Sequence, residues 1–271
     1  MVMPMLNSSL VYNTIQKEIR NKGVIFLFFL TLISLYLGHS LAVGVKDYVD
    51  EANMSALIAN STQAIIITFV STISIFVSII IGISAIRSDQ SLRVLPQILS
   101  FPISRLTYIL SRITGAWILS AIFYTITVIF GILILKFSGA MKVDFLSMMM
   151  TFCLMLLSLL TITFVSTFLS VYINKIASFI LTIVFYLVSK FSYYNYINGN
   201  FEKAEFSVSK VLGLFAHYFL PRIGELNYLS EGYLGGKTFE VSSLAFALLH
   251  FFCVIILWGY IFKFLFERRE I

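Results

Sequence analysis

The chain has 271 residues, of which 59% are hydrophobic and only 12% charged. That balance lacks the polar surface that disperses a soluble protein of this length, so it excludes a soluble enzyme or binding domain and indicates an integral membrane protein. The net charge of +6 does not mark a nucleic-acid partner, because the basic residues sit in short clusters beside apolar runs, where lipid headgroups and topology account for them.

Residues 1–23 read as an amphipathic helix lying in the membrane interface. Ser8 or Ser9 can cap it, Val11, Ile15 and Ile19 share a face, and Lys17, Arg20 and Lys22 crowd its end. The apolar run 24–45 is too long for the core of a cleavable signal and lacks a small-residue cleavage site, so it reads as an uncleaved first span. Its fourteen Leu, Ile, Phe and Val residues outweigh the polar Ser34, His39 and Ser40. Further spans are expected at 63–86, 113–135, 145–173, 176–194 and 241–264, six in all. Between the last two lies an outer segment, 195–240. Its middle, 206–220, is apolar but too short to cross, with Val208, Val211, Leu212, Phe215 and Phe219 on one helical face and a stop before Pro221. The expected fold is a single all-α transmembrane domain over 1–271, with the short outer helix capping the bundle or dipping into the outer leaflet.

Charge orients this layout. Counting Lys263 and Lys190 at the ends of their spans, the segments on one side carry eleven Lys/Arg and four Asp/Glu, and those on the other eight and nine. The basic excess places both termini, the loop 87–112 and the turn at Asn174-Lys175 in the cytoplasm. Loop 87–112 holds Arg87, Arg93, Arg105 and Arg112 against one acid, Asp89. Within it Leu92, Leu95, Leu99 and Ile103 recur at helical spacing, interrupted by Pro96 and Pro102. A short amphipathic helix at the membrane edge can offer an apolar face to a partner's groove while its charges fix register.

Residues 98–105, Ile-Leu-Ser-Phe-Pro-Ile-Ser-Arg, resemble a signature of ABC-2 type permeases, the membrane subunits of ATP-driven exporters. Arg112 falls where that family usually has a lysine, with Gly115 three residues on, and Asp89 falls where a glutamate is common. Three positions depart from the pattern: Arg93-Val94 stand where the family frequently has Gly-Thr, Ser111 replaces a usual glycine, and Pro96 is unexpected. The resemblance implies an interfacial elbow helix at the start, outer helices between spans five and six, and a loop 87–112 that docks on a cytoplasmic ABC ATPase subunit. Two permease copies, or this chain with a related one, would pair with two ATPases in the cell membrane. They would move a hydrophobic or amphipathic substrate outward by alternating access. ATP and Mg would bind the partner, and no cofactor would bind this chain. The residues so implied in ATPase coupling are Asp89, Arg93, Leu99, Pro102, Ser104 and Arg105, with Leu99 as the apolar contact, Pro102 ending the helix and the others making polar contacts. Other readings are a non-transporting scaffold or sensor, a permease serving metalloenzyme maturation or ion export, and a secondary carrier. The carrier predicts inverted repeats and mid-membrane ionisable residues, and the sequence shows neither beyond its histidines.

The remaining motifs are weaker. Gly232–Thr238 imitates a phosphate-binding loop but is one residue short and lies in the outer segment, so ATP hydrolysis is expected from another chain. His39 and His250 are pathway candidates, although a neutral imidazole bonded to a neighbouring Ser or carbonyl is the favoured reading. Cys153 and Cys253 are expected to be buried, unpaired thiols. Met148, Met149 and Met150 with Cys153 and Met155 raise copper(I), but only Met149 and Cys153 share a face, so gap-filling packing is favoured and no metal site is assigned. Ser74, Ser78 and Gly82 form a small-residue stripe that lets another helix approach closely, either in the bundle or between two copies.

Overall fold

A computed structural model describes residues 6–49, 55–101, 103–137, 145–199, 207–234 and 241–268. Helix α1 (Ser8–Arg20) precedes α2 (Lys22–Val49), α3 (Ser55–Ser91), the single-turn α4 (Leu95–Leu99) and α5 (Arg105–Phe137). Then come α6 (Phe145–Tyr172), α7 (Lys175–Ile197), α8 (Val208–Phe219), α9 (Ile223–Leu234) and α10 (Val241–Glu267). Six of them (α2, α3, α5, α6, α7 and α10) are long and apolar enough to cross a membrane, and the architecture is all-α, as expected.

Several boundaries differ from the sequence reading, and each difference has a local cause. The cap of α1 is Asn7, whose side-chain oxygen accepts from the Ser9 and Leu10 amides, rather than Ser8 or Ser9. Asn21 alone separates α1 from α2. The loop expected over 87–112 is mostly helix, because α3 runs on to Ser91 and α5 starts at Arg105. The outer segment holds a second helix, α9, beyond the one expected before Pro221. Cys153 and Cys253 are free but exposed on the bundle's outer surface, not buried, because each falls on the flank of its helix that faces away from the packed core. Pro102 and residues 235–238 of the phosphate-loop lookalike lie outside the described residues.

The centre of the bundle is the seam between α3 and α6. Ser158, Thr161, Thr163, Ser166, Thr167 and Ser170 of α6 are fully buried, and Thr163, Ser166 and Thr167 meet Gly82 of the α3 stripe. The Thr167 hydroxyl donates to the Gly82 carbonyl at 2.9 Å, and Ser78 donates to the Leu159 carbonyl at 3.4 Å. Other buried hydroxyls, such as those of Ser74, Ser120 and Thr182, donate to carbonyls four residues back in their own helices. These hydroxyls thus enter the apolar interior already bonded. Around the seam pack Ile79, Leu159 and Ile162, with Ile86, Tyr108 and Phe266 nearer the α4 turn. In contrast, α2 and α10 present most of their side chains outward, including Phe26, Phe29, Phe246 and Leu249, the pattern of helices bathed in lipid.

At Gly82 an added Cβ would fall 3.0 Å from the Thr163 carbonyl and collide with the Ser166 side chain. Gly82→Ala is therefore expected to destabilise the protein by about 1–3 kcal/mol through overpacking. Adding Ser166→Gly should recover part of the loss, read as thermal unfolding midpoints in detergent.

Candidate functional site

Helix α3 ends in a tight reversal. The Val94 amide donates to the Asp89 carbonyl at 3.0 Å and the Arg93 amide to the Gln90 carbonyl at 3.1 Å. Arg93 takes the left-handed conformation, φ 55°. This is a helix-terminating motif whose left-handed position glycine normally fills, and Arg93 is the very position where the resembled permeases carry glycine. Pro96 then falls in the first turn of α4, where its missing N–H is not needed. Leu95 is buried beside Ile86, Tyr108 and Phe266 and pins α4 to the bundle, with Ile98 and Ile103 packed against the same group. The opposite face shows Leu92 and Phe101, 68% and 63% exposed. Of the apolar positions read from spacing, Leu95 and Ile103 thus face the bundle and Leu92 faces away. The backbone of Leu99 closes α4, while its side chain lies outside the described residues. Phe101 was not singled out by the sequence, because it breaks the helical spacing.

Behind this turn lies a buried cluster of charge. Asp89 receives Lys17 Nζ at 3.1 Å on Oδ1, and Arg112 Nη2 at 2.6 Å and the Tyr108 hydroxyl at 2.7 Å on Oδ2. Arg112, 1% exposed, also donates to Asn13 Oδ1 at 3.0 Å and Thr14 Oγ1 at 2.8 Å. The amide of Asn7 donates to the Ser111 hydroxyl at 2.9 Å. Close approach makes these bonds possible, since a Cβ on Gly115 would fall 2.8 Å from Thr14 Cβ and 2.9 Å from the Val11 carbonyl. Helix α1 therefore turns Thr14 and Glu18 into the bundle while Ile19 is exposed. The polar side of α1 thus packs inward beside Ile15, because the charged groups on α3 and α5 require polar partners.

Glu18 is the second buried acid here, 1% exposed. The Ser84 hydroxyl donates to its Oε1, and its Oε2 has no partner. Burial pushes its carboxyl above the ordinary carboxylate range, opposed by the Ser84 bond and by Lys17 and Lys175, and reinforced by Asp89.

The other sequence candidates separate from one another. Arg87, on α3, donates to the Ser170 carbonyl at 3.0 Å and to the Ile173 carbonyl, closing the end of α6. Arg105 donates to the Phe266 and Glu267 carbonyls at 3.3 and 3.0 Å, closing the end of α10. Ser104 caps α5, accepting from the Thr107 amide at 3.0 Å. Asp89 faces inward, whereas Arg93 and Ser104 are exposed. His39 is half-buried on α2, its Nδ1 without a partner. His250 lies at the other end of the bundle, where Nε2 donates to the Tyr218 carbonyl at 3.0 Å. Nearby His217 is buried, stacked on Tyr196 at 4.0 Å. Burial, Arg222 and His250 push its imidazole down to about 4, which leaves it neutral at ordinary pH and a poor proton carrier. Lys17, Glu18, Asn13, Thr14, Tyr108 and Ser84 were missed by sequence reasoning. The available signal was the polar stripe Asn13, Thr14, Lys17, Glu18 on one side of α1.

The profile of the ABC-2 family transporter protein matches residues 10–193, more than half of the chain and all of this cluster except Asn7. The chain belongs to the ABC-2 transporter family. No curated protein matches it individually. An ABC-2 membrane protein is a transporter component, and the family usually works with an ATPase subunit. In this ABC-2 protein the signature stretch is the exposed turn, and the buried cluster is what holds that turn to α1, α3 and α5.

Two outcomes follow. Asp89→Asn leaves Arg112 buried without its counter-charge and should destabilise the protein by about 3–5 kcal/mol. The pair Asp89→Leu with Arg112→Met should cost clearly less than the two single changes summed, a non-additivity that thermal or denaturant unfolding can read. For Glu18, the raised folded-state pKa means the folded protein holds its proton to higher pH than the unfolded chain. Its contribution is complete below the ordinary carboxylate range and is lost as pH rises through the raised value. Glu18→Gln is expected to raise the neutral-pH melting midpoint and to flatten the decline of stability with rising pH.

Proposed function

We propose that this chain is the permease subunit of an ABC exporter, with both termini and the turn 92–104 in the cytoplasm of a cell-membrane protein. Two such chains, or this chain and a relative, pair with two ATPase subunits that bind ATP and Mg. The observation that supports this most directly is the exposed tip of that turn. Leu92, Arg93 and Phe101 project from a short loop whose base is fixed by the Asp89 cluster and by Leu95. Two apolar knobs flanking a cation on a rigid base suit a groove in a partner, because little order remains to be imposed on binding.

The docked ATPase pushes on the turn when it closes on ATP. The turn is continuous with α3 and α5, and α1 is bonded to both, so the push moves three helices together. That displacement alternates access of an amphipathic or hydrophobic substrate and sends it outward.

A cysteine-free background (Cys153→Ser with Cys253→Ser) is practical because both thiols lie on the outer surface. Ser104→Cys in that background should react only with reagents admitted to the cytoplasm. Reaction solely from outside would reverse the topology and end this reading. Phe101→Ala with Leu92→Ala should reduce co-purification of the ATPase by about tenfold or more. Phe137→Ala, an exposed residue at the opposite end, should leave it unchanged.

A further inference from the structure

The hairpin of α8 and α9 is bonded to the neighbouring spans well inside their ends. At its tip the Ser189 hydroxyl of α7 donates to the Pro221 carbonyl at 2.7 Å. From α10, His250 Nε2 donates to the Tyr218 carbonyl at 3.0 Å and the Trp258 indole to the Phe219 carbonyl at 3.1 Å. Ser189 precedes the end of α7 at Ile197 by eight residues, and His250 follows the start of α10 at Val241 by nine, about 12–14 Å at helical rise. Higher up, the Ser192 hydroxyl donates to the Gly213 carbonyl at 2.7 Å. Helix α8 is thus pinned to α7 on one side and α10 on the other, and it carries His217 to the depth of the hydrocarbon.

His217 is the least satisfied group there. It is 2% exposed, neither ring nitrogen has a hydrogen-bond partner, and its ring stacks on Tyr196. The groups around it offer a proton no counter-charge. Tyr193 and Tyr196 face it from α7, and Tyr218 from α8 itself. From the turn, Arg222 donates Nε to the His217 carbonyl at 3.2 Å and Nη1 to Glu225 of α9 at 3.4 Å. His250 faces it from α10 and, like Arg222, disfavours a positive charge on it. A neutral imidazole packs well among these rings. An imidazolium would be a buried cation with two N–H donors, no acceptor and a second cation close by.

We propose that His217 is an acid-sensitive latch: a proton on its imidazole drives α8 out from between α7 and α10 and frees the hairpin tip. Once released, the ring meets water and titrates in the ordinary range near 6.5, whereas in the docked state it is held down to about 4. The docked state therefore binds fewer protons. Its stabilisation by His217 is complete above the ordinary imidazole range and is lost as pH falls through that range toward the lowered value. Glu225 works in the opposite sense. Burial pushes its carboxyl up, so acid favours the docked state through that residue. The latch goes beyond the permease reading and needs no ATPase.

Ala216, the residue before His217, is buried, whereas Val208 at the start of the same helix is 75% exposed. Ala216→Cys and Val208→Cys are each placed in the cysteine-free background, and the full chain is reconstituted in nanodiscs. The rate at which a charged methanethiosulfonate modifies Ala216→Cys is divided by the rate for Val208→Cys, which cancels the effect of pH on the thiol itself. That ratio should rise by about tenfold or more between about pH 7.5 and pH 5. His217→Phe and His217→Gln remove the titrating group and should hold the ratio constant with pH, whether α8 then stays docked or released. Glu225→Gln should enlarge the rise. A ratio that stays flat in the protein with His217 in place, or a rise of the same size in both His217 variants, would overturn the latch and leave the permease reading untouched.

Discussion

A carboxylate taken out of water must find compensating charge, and Asp89 finds it on two other helices. Lys17 comes from α1 and Arg112 from α5, with the Tyr108 hydroxyl completing the set. None of these helices could bury its own ion alone, so the three are stable only together. The backbone of the same residue does a second task, since the Asp89 carbonyl accepts the bond that closes α3 and starts the turn. Side chain and main chain of one residue thus tie the shape of the exposed loop to the position of the N-terminal helix. Glu18 adds a variable: with its proton retained the cluster carries one net positive charge, and without it none.

The basic residues around this edge have uses beyond orienting the chain. Three long helices, α3, α6 and α10, end at the same edge, each presenting carbonyls and the negative end of its dipole. Arg87 closes α6 and Arg105 closes α10. With Arg112 committed to Asp89, only Arg93 of the four arginines in this stretch stands exposed on the turn. The charge that a topology count assigns to a loop is therefore largely consumed by helix ends, and the surface offered to a partner is smaller and more apolar than the sequence implies.

This explains what could be read from residues alone. Span number and approximate position follow from apolar run length, which physics constrains tightly in a bilayer. The turn was legible as a place, through its prolines and arginines, but its interior was not. Spacing counts Leu92 with Leu95 and Ile103, yet the left-handed Arg93 rotates α4 away from α3 and sends Leu92 outward. The partner of the Ser74, Ser78, Gly82 stripe was invisible because α6 carries its small polar residues scattered among Leu, Ile and Phe, with no periodic signal in one sequence. The burial of the polar side of α1 gave no signal for a related reason. An amphipathic pattern shows which side is apolar, and it does not show whether the waiting surface is lipid or a buried ion.

The α3–α6 seam connects the two ends of the molecule. From Asp89 back to Thr68 helix α3 runs some 20 residues, about 30 Å at helical rise. Along it α3 meets α6 through the close approach at Gly82, two hydroxyl-to-carbonyl bonds and the packed Ile79, Leu159 and Ile162. Separating the seam loses its close packing and leaves the Ser78 and Thr167 hydroxyls without their cross-helix partners, whereas tilting the joined pair as a unit does not. On the permease reading, a force on the turn passes first into this joined pair. Helix α9 is bonded to α6 through Thr151, and the turn before it to α7 through Ser189, so the outer helix ties the pair to α7.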